Sequence, residues 1–335
     1  MISKLLVAES RSFSAPENLA AEAVLTELVR PGELVLFLWQ NEKTVVIGKN
    51  QNAWKECRRE TLIRDGGTLV RRMSGGGAVF HDLGNLNISF CVSRQDEDIP
   101  RQTQVILNAL RALDVQASRS GRNDLEADGR KFSGHACYRL GASSCHHATV
   151  MLRVDQEALE RYLRVSPLKL RSRGIDSVRA RILNLADRYP SLTIPALCDA
   201  LKNAASETYC LPAEPFAWDK RLTVTERERQ RAYRERFSSW EWTYGRRIAF
   251  DAEKEARFSW GEADLRLRVE SGMIRECRCY TDAMDPLWTE DMEKALIGIR
   301  FEPEAIRGAF ACLPASPEPA MQNDLQAMLQ SMAEE

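Results

Sequence analysis

The sequence predicts an α+β fold, and three observations carry that prediction. Apolar runs of strand length crowd the chain as far as Val154, helical periodicity takes over from Asp155, and a second set of strand-like runs begins at Phe258. Strands first and helices later argue for a mixed sheet rather than a doubly wound parallel one. At 335 residues the chain has material for about two domains. A boundary at Arg247–Asp251 divides it into a large unit over 1–247 and a small α+β accessory unit over 251–335.

Pro16 to Val29 is expected as a helix, with proline near its start, Leu19, Ala23, Leu25 and Leu28 apolar, and Pro31-Gly32 as its stop. Leu34–Trp39 and Thr44–Gly48 have the pattern of strands, separated by the turn residues Gln40 to Lys43. Thr68–Arg72 and Ala78–His81 are short strands flanking three glycines, and Asn87–Val92 is another. Thr103–Leu113 has helical spacing. Extended runs follow at Val115–Ser118, Leu125–Ala127, Arg130–Ser133 and Ala148–Val154, with Asp128-Gly129 a favourable hairpin turn. Helices are expected at Gln156–Leu163, Val178–Tyr189, Ile194–Tyr209 and Thr223–Phe237. In the last of these, Glu226/Arg229 and Glu228/Arg231 are i,i+3 pairs of a solvated face. The aromatic knot Trp240 to Gly245 is expected to pack back on the first unit. Strands at Phe258–Trp260, Leu265–Val269 and Met273–Tyr280, followed by two helices, complete the chain.

Composition excludes several classes. A formal net charge of −1 gives no support to a nucleic-acid-binding protein. The N-terminus lacks the long apolar stretch of a secretory signal, and no run approaches the roughly 20 apolar residues of a membrane span. Nine widely spaced cysteines point to a reducing compartment, so a cytoplasmic location is expected. Cys277 and Cys279 lack the further ligands that zinc normally requires and are expected as strand thiols.

Chemistry concentrates in Arg71 to Asn85, where Gly75-Gly76-Gly77 follows an arginine pair. A glycine triplet is entropically unfavourable and implies close backbone approach, here to an anion such as a phosphate or carboxylate; the plainer reading is a surface turn beside two solvated arginines. A second polar group holds Asn123, Asp124 and Lys131. Lys131 suits a phosphoryl or carboxylate oxygen, and Asp124 is a candidate magnesium ligand, although turn-flanking residues of these types are common. His146 and His147 are strand neighbours, so at most one can enter a given site. Cys145 beside them is either a small buried hydrophobe or an activated nucleophile.

Taken together and in order, these pieces resemble lipoate–protein ligases. The match runs through Asn18-Leu19-Ala20, Trp39-Gln40-Asn41, Val45 to Asn52, the segment from Arg71 to Asp82, Gly121 to Leu125, Lys131 with Ser133-Gly134, His146-His147 and Ser239 to Trp242. It covers essentially the whole chain. The resemblance implies a mixed-sheet catalytic domain related to biotin ligase and class II aminoacyl-tRNA synthetases, plus the accessory domain. It also implies two steps: lipoate is activated by ATP to lipoyl-AMP, and the lipoyl group then passes to a lysine of an acceptor. The implied acceptors are lipoyl domains of 2-oxoacid dehydrogenase E2 subunits and the glycine cleavage H protein, with neither nucleic acid nor membrane as partner.

Residue by residue, the resemblance assigns Lys131 as the catalytic lysine, contacting carboxylate and α-phosphate. Arg72, Ser74, Gly75, Gly76, Gly77, Ala78, Val79, Phe80, Asn123 and Asp124 would bind ATP and lipoyl-AMP, with Asp124 toward Mg2+. Ser74, Lys131 and His147 would form the lipoate pocket. Ala148 stands where such ligases usually have glycine, and His135, Cys137 and Cys145 also depart from their pattern. Two alternatives are an ATP-independent octanoyl- or lipoyltransferase, for which Cys145 would have to carry the acyl group, and a non-catalytic lipoate-binding protein.

Overall fold

The computed structural model describes residues 1–121, 123–164, 182–246 and 248–334. Its strands are β1 (Lys4–Glu9), β2 (Glu33–Trp39), β3 (Thr44–Ile47), β4 (Thr68–Arg71), β5 (Val79–His81), β6 (Asn85–Ser93) and β7 (Ser118–Ser120). They continue with β8 (Asp124–Ala127), β9 (Arg130–Leu140), β10 (Ser143–Met151), β11 (Ala213–Pro215), β12 (Ala252–Arg257), β13 (Glu262–Glu270) and β14 (Met273–Thr281).

The main sheet has the order β11-β1-β2-β6-β10-β9-β8-β7. β11, β1 and β2 run parallel and the rest antiparallel, which makes the sheet mixed. Every residue of β6 and all of β2 after Glu33 are buried, because both faces of the sheet are covered. The helix Ala15–Leu28 closes one face through Leu19, Val24 and Leu25, packed with Phe37 and Trp39. Helices Ile99–Ala112 and Ile194–Tyr209 close the other through Val105, Ile106, Leu197 and Leu201, against Leu36, Phe90 and Phe132. A smaller sheet, β4-β3-β5, carries the glycine loop between β4 and β5. The third sheet, β12-β13-β14, packs with helices Pro286–Leu296, Pro303–Ala311 and Pro319–Glu334 around Trp288, Phe310 and Leu325.

The sequence placed most of these elements and missed some. β1 and β11 were not expected, and β9 and β10 begin or run well outside the anticipated ranges. Phe258–Trp260 lies outside a strand: the two rings stack at 5.1 Å where the chain turns between β12 and β13. Three helices, not two, end the chain. The expected helix Val178–Tyr189 starts outside the described residues, and its described part is helical over Leu185–Arg188. In Val224–Ser238, Glu226 caps the backbone N–H of Thr223, while Arg229 and Arg234 reach Glu27 and Glu17 on the first helix. The charged face therefore ties two helices together. Asp128-Gly129 forms the anticipated turn, both residues having positive φ.

Arg71 ends β4 fully buried. Its guanidinium donates to the carbonyls of Gly48 (3.0 Å), Lys49 (2.9 Å), Gln51 (2.6 Å), Trp242 (3.0 Å) and Thr243 (2.6 Å). Trp242 Nε1 donates back to the Arg71 carbonyl at 2.8 Å, so the aromatic knot does pack on the first unit, through this residue. Burial, with Arg246 nearby, lowers the Arg71 pKa to about 9. Replacing Arg71 by methionine keeps the apolar stem and leaves several carbonyls unmet. Denaturant unfolding is expected to show a loss of roughly 3 kcal/mol or more. A variant as stable as the parent would mean that those carbonyls find other partners.

Candidate functional site

A cavity of 1120 Å³ opens beside the glycine loop, with walls from all three sheets. Gly76 to Phe80 supply one wall and Asn123, Asp124 and Lys131 another. His147, Ala148 and Met151 on β10 line a third, and Asp282 to Asp285 approach from the C-terminal unit. The expectation that the glycine loop and the Lys131 group share one pocket therefore holds. Arg122, between Gly121 and Asn123, lies outside the described residues.

Lys131 Nζ is ion-paired to Asp124 Oδ1 at 2.7 Å, both side chains partly open to the cavity. Their strands bring them together: β8 and β9 form a hairpin in which Glu126 is paired with Lys131 and the register shifts between Leu125 and Glu126. A lysine and a carboxylate so placed can each receive a charged ligand atom once the other releases it.

Arg72 is 8 % exposed and faces inward. Its guanidinium donates to Ser74 Oγ (3.0 Å) and to the carbonyls of Val46 (3.1 Å), Gly75 (2.7 Å) and Gly77 (2.8 Å). It shapes the loop by holding its carbonyls, which turns the peptide N–H groups away from it. The glycines are needed for packing as well. Gly76 has φ +88°, and a Cβ on Gly75 would overlap the carbonyl oxygen of Ala283. Gly76 N donates to that same carbonyl at 3.2 Å. Ser74 and Gly75 consequently sit behind the cavity wall, whereas Gly76 and Gly77 are on it.

Ser74 Oγ lies 2.8 Å from His147 Nε2, and His147 Nδ1 lies 3.0 Å from Glu22 Oε1. Glu22 is 2 % exposed and also accepts from Ser89 Oγ at 2.6 Å. Burial opposes its charge, yet the His147 ring and the hydrogen bonds outweigh it and keep its pKa below the usual carboxylate value. With Nδ1–H held by the carboxylate, the ring turns Nε2 to the Ser74 hydroxyl. His146 faces away, toward Gln102 Oε1 and His135 Nδ1, each at 2.9 Å. The one-histidine expectation is thus met by His147.

Cys145 is fully buried, and burial pushes its thiol well above the ordinary range, assisted by Cys91 and Glu22. Burial of this kind disfavours the thiolate that a nucleophile requires. Cys277 and Cys279 are buried thiols on β14. Ala148 lies in regular strand at the cavity wall and is absent from the residues of positive φ, so its methyl group needs no special backbone. Glu22 escaped the sequence reading, and Trp39, Asn41 and His81 entered it only inside matched segments, without a role. Each belongs to this end of the site through contacts distant in sequence, and the hint that was available is the polar row Asn18, Glu22 and Thr26 on the buried face of the first helix.

Two family models match: the lipoyl protein ligase A/B catalytic domain over residues 14–206 and the bacterial lipoate protein ligase C-terminus over residues 247–329. Lipoate-protein ligase A of Psychrobacter cryohalolentis is 35% identical over 329 residues, covering 96% of each chain. The crystal structure of P. falciparum LipL1 in complex with lipoate superposes with a TM-score of 0.85 at 25% identity, covering 98% of this chain and 100% of that one. A lipoate-protein ligase A bound with ATP gives a TM-score of 0.63 at 26% identity, covering 73% and 99%.

The buried histidines set a pH dependence. Burial lowers His81 to about 3 and His135 to about 4, and holds His146 well below its ordinary value. Folded, these rings stay neutral where the unfolded chain is protonated, so the unfolded state binds more protons below about pH 6.5. Stability is expected to fall as pH drops from about 6.5 toward about 4, by up to about 1.4 kcal/mol per unit for each ring. Unfolding midpoints measured across that window check this; a flat profile would contradict neutral buried rings.

Proposed function

From the premise that this chain belongs to the lipoate–protein ligase family and is an enzyme that joins lipoate to protein, we propose that it works in two ATP-driven steps. In the first, a lipoate carboxylate oxygen attacks the α-phosphorus of ATP and pyrophosphate leaves with the electron pair of the broken P–O bond. In the second, the ε-amine of an acceptor lysine attacks the lipoyl carbonyl carbon. The amide forms, AMP departs and the amine releases a proton. The observation that carries this reading is the Lys131–Asp124 pair in one cavity with the glycine loop.

Lys131 is the group that accompanies the carboxylate and then the α-phosphate, exchanging Asp124 for the substrate's oxygens. Both transition states gather negative charge on oxygen, so a preorganised cation and the N–H groups of Gly76 and Gly77 are the useful elements. Arg72 and Ser74 act by holding the loop in shape, while Ala78, Val79 and Phe80 form the nucleotide wall. Gly76 N, which donates to the Ala283 carbonyl, stands on the cavity wall. Magnesium suits the donor set: one carboxylate, Asp124, with Asn123 beside it, completed by substrate phosphates, is its usual arrangement. It would neutralise phosphate charge. His147, positioned by Glu22, belongs to the acyl end of the pocket.

The acceptors are lipoyl domains of E2 subunits and the glycine cleavage H protein, modified in the cytoplasm, where nine free cysteines are stable. Residues 1–247 carry the chemistry and 251–335 form the accessory domain. The full burial of Cys145 speaks against an ATP-independent transferase. The Lys131–Asp124 pair beside an anion loop speaks against a mere binder.

Incubation of a lipoyl domain with enzyme, ATP, magnesium and lipoate is expected to add one lipoyl mass, read by intact-mass spectrometry. Lys131→Ala is expected to slow this by roughly a hundredfold or more with the fold retained. Near-parental modification by that variant would remove Lys131 from its role.

A further inference from the structure

A chain of side-chain amides fixes the proton of His81. Asn18 Nδ2 donates to the backbone carbonyls of Ser12 (3.0 Å) and Gln40 (2.8 Å), which settles which end of that amide is nitrogen. Its two N–H groups are shared among those carbonyls and Asn41 Oδ1 at 3.0 Å, and with that oxygen turned to Asn18 the nitrogen of Asn41 faces His81, 3.2 Å from Nδ1. Nδ1 is therefore an acceptor, and the neutral ring carries its proton on Nε2. That N–H is buried and has no protein partner among the described residues, while the ring borders the cavity. A buried donor left unmet is destabilising, and native structures tolerate it mainly where a ligand supplies the acceptor.

The position of His81 says which part of a ligand that is. Trp39 stands edge-on to the ring at 6.5 Å, and Leu19, Val46 and Met151 line the same cavity. The first helix ties this end together, since Asn18 anchors the His81 network and Glu22, one turn on, anchors His147. His81 thus borders the cavity among apolar side chains.

We propose that His81 determines acyl specificity, its Nε2–H donating to a ring sulfur of the dithiolane that ends lipoate. The inference rests on the proposed activation of lipoate. Sulfur is a weak acceptor, but an all-carbon terminus offers none and leaves the donor stranded, and discrimination arises from that difference. Asn18 and Asn41 are positioning residues that keep the proton on Nε2.

The test compares lipoate with 5-cyclopentylpentanoate, which has the same ring size without sulfur, in acid-dependent pyrophosphate release. The parent enzyme is expected to show a KM roughly fivefold higher for the carbocycle. In His81→Phe, which keeps an aromatic ring without the donor, the gap is expected to close. In the unaltered protein, the His81 Nε2–H resonance is expected to shift on binding lipoate and stay in place on binding the carbocycle, a readout independent of how the variant folds. Equal KM values in the parent, an undiminished gap in His81→Phe, or an unmoved resonance would overturn the inference alone. If neither acid drives pyrophosphate release, the functional reading falls and this inference with it.

Discussion

Two consecutive buried arginines hold the site together by binding backbone carbonyls. Arg71 gathers carbonyls from the segment after β3 and from the aromatic knot, and Arg72 gathers those of Val46 and the glycine loop. Side chains alternate on a strand, so neighbouring arginines secure different segments, one on each side. A guanidinium has five donors in fixed geometry, which suits it to organise several carbonyls at once. With the direct bond from Lys49 N to the Ser74 carbonyl at 2.8 Å, that frame holds the chain from Gly48 to Gln51 against the loop from Ser74 to Gly77.

The frame extends to the C-terminal unit. Thr281 N donates to the Asn50 carbonyl at 3.0 Å and Asn50 Nδ2 to that of Pro286 at 3.0 Å, while Lys49 pairs with Glu290 at 2.9 Å. Lys55 pairs with Asp264 at 3.0 Å and also with Glu255. The Ala283 carbonyl takes the Gly76 N–H that an anion would take, so in this arrangement one wall donor is occupied by the protein itself. Exposed pairs such as Lys55–Glu255 contribute little each. The buried backbone contacts are the more important part of this seam.

Much of this was legible in the sequence because it depends on local pattern. Ile194–Tyr209 has its threonine cap, proline and apolar spacing written in consecutive residues, and its bounds emerged as expected. The glycine triplet signalled close approach, but what approaches Gly75 is the chain's own residue Ala283, more than two hundred positions away, and no local pattern could say so. The arginine pair suggested an anion for the same reason: residue type gives chemistry, whereas burial decides the partner. The partners of Glu22 and His81 could not be read because they come from distant elements. Phe258–Trp260 has strand-like composition, yet its rings stack across a turn.

The central claim is that the cavity between the glycine loop and Lys131 forms an acyl-adenylate. ATP–pyrophosphate exchange without any acceptor tests it most directly. The account predicts that labelled pyrophosphate enters ATP only when lipoate is present. Exchange that ignores lipoate, or lipoylation of an acceptor from an acyl-carrier donor with no ATP at all, would contradict it.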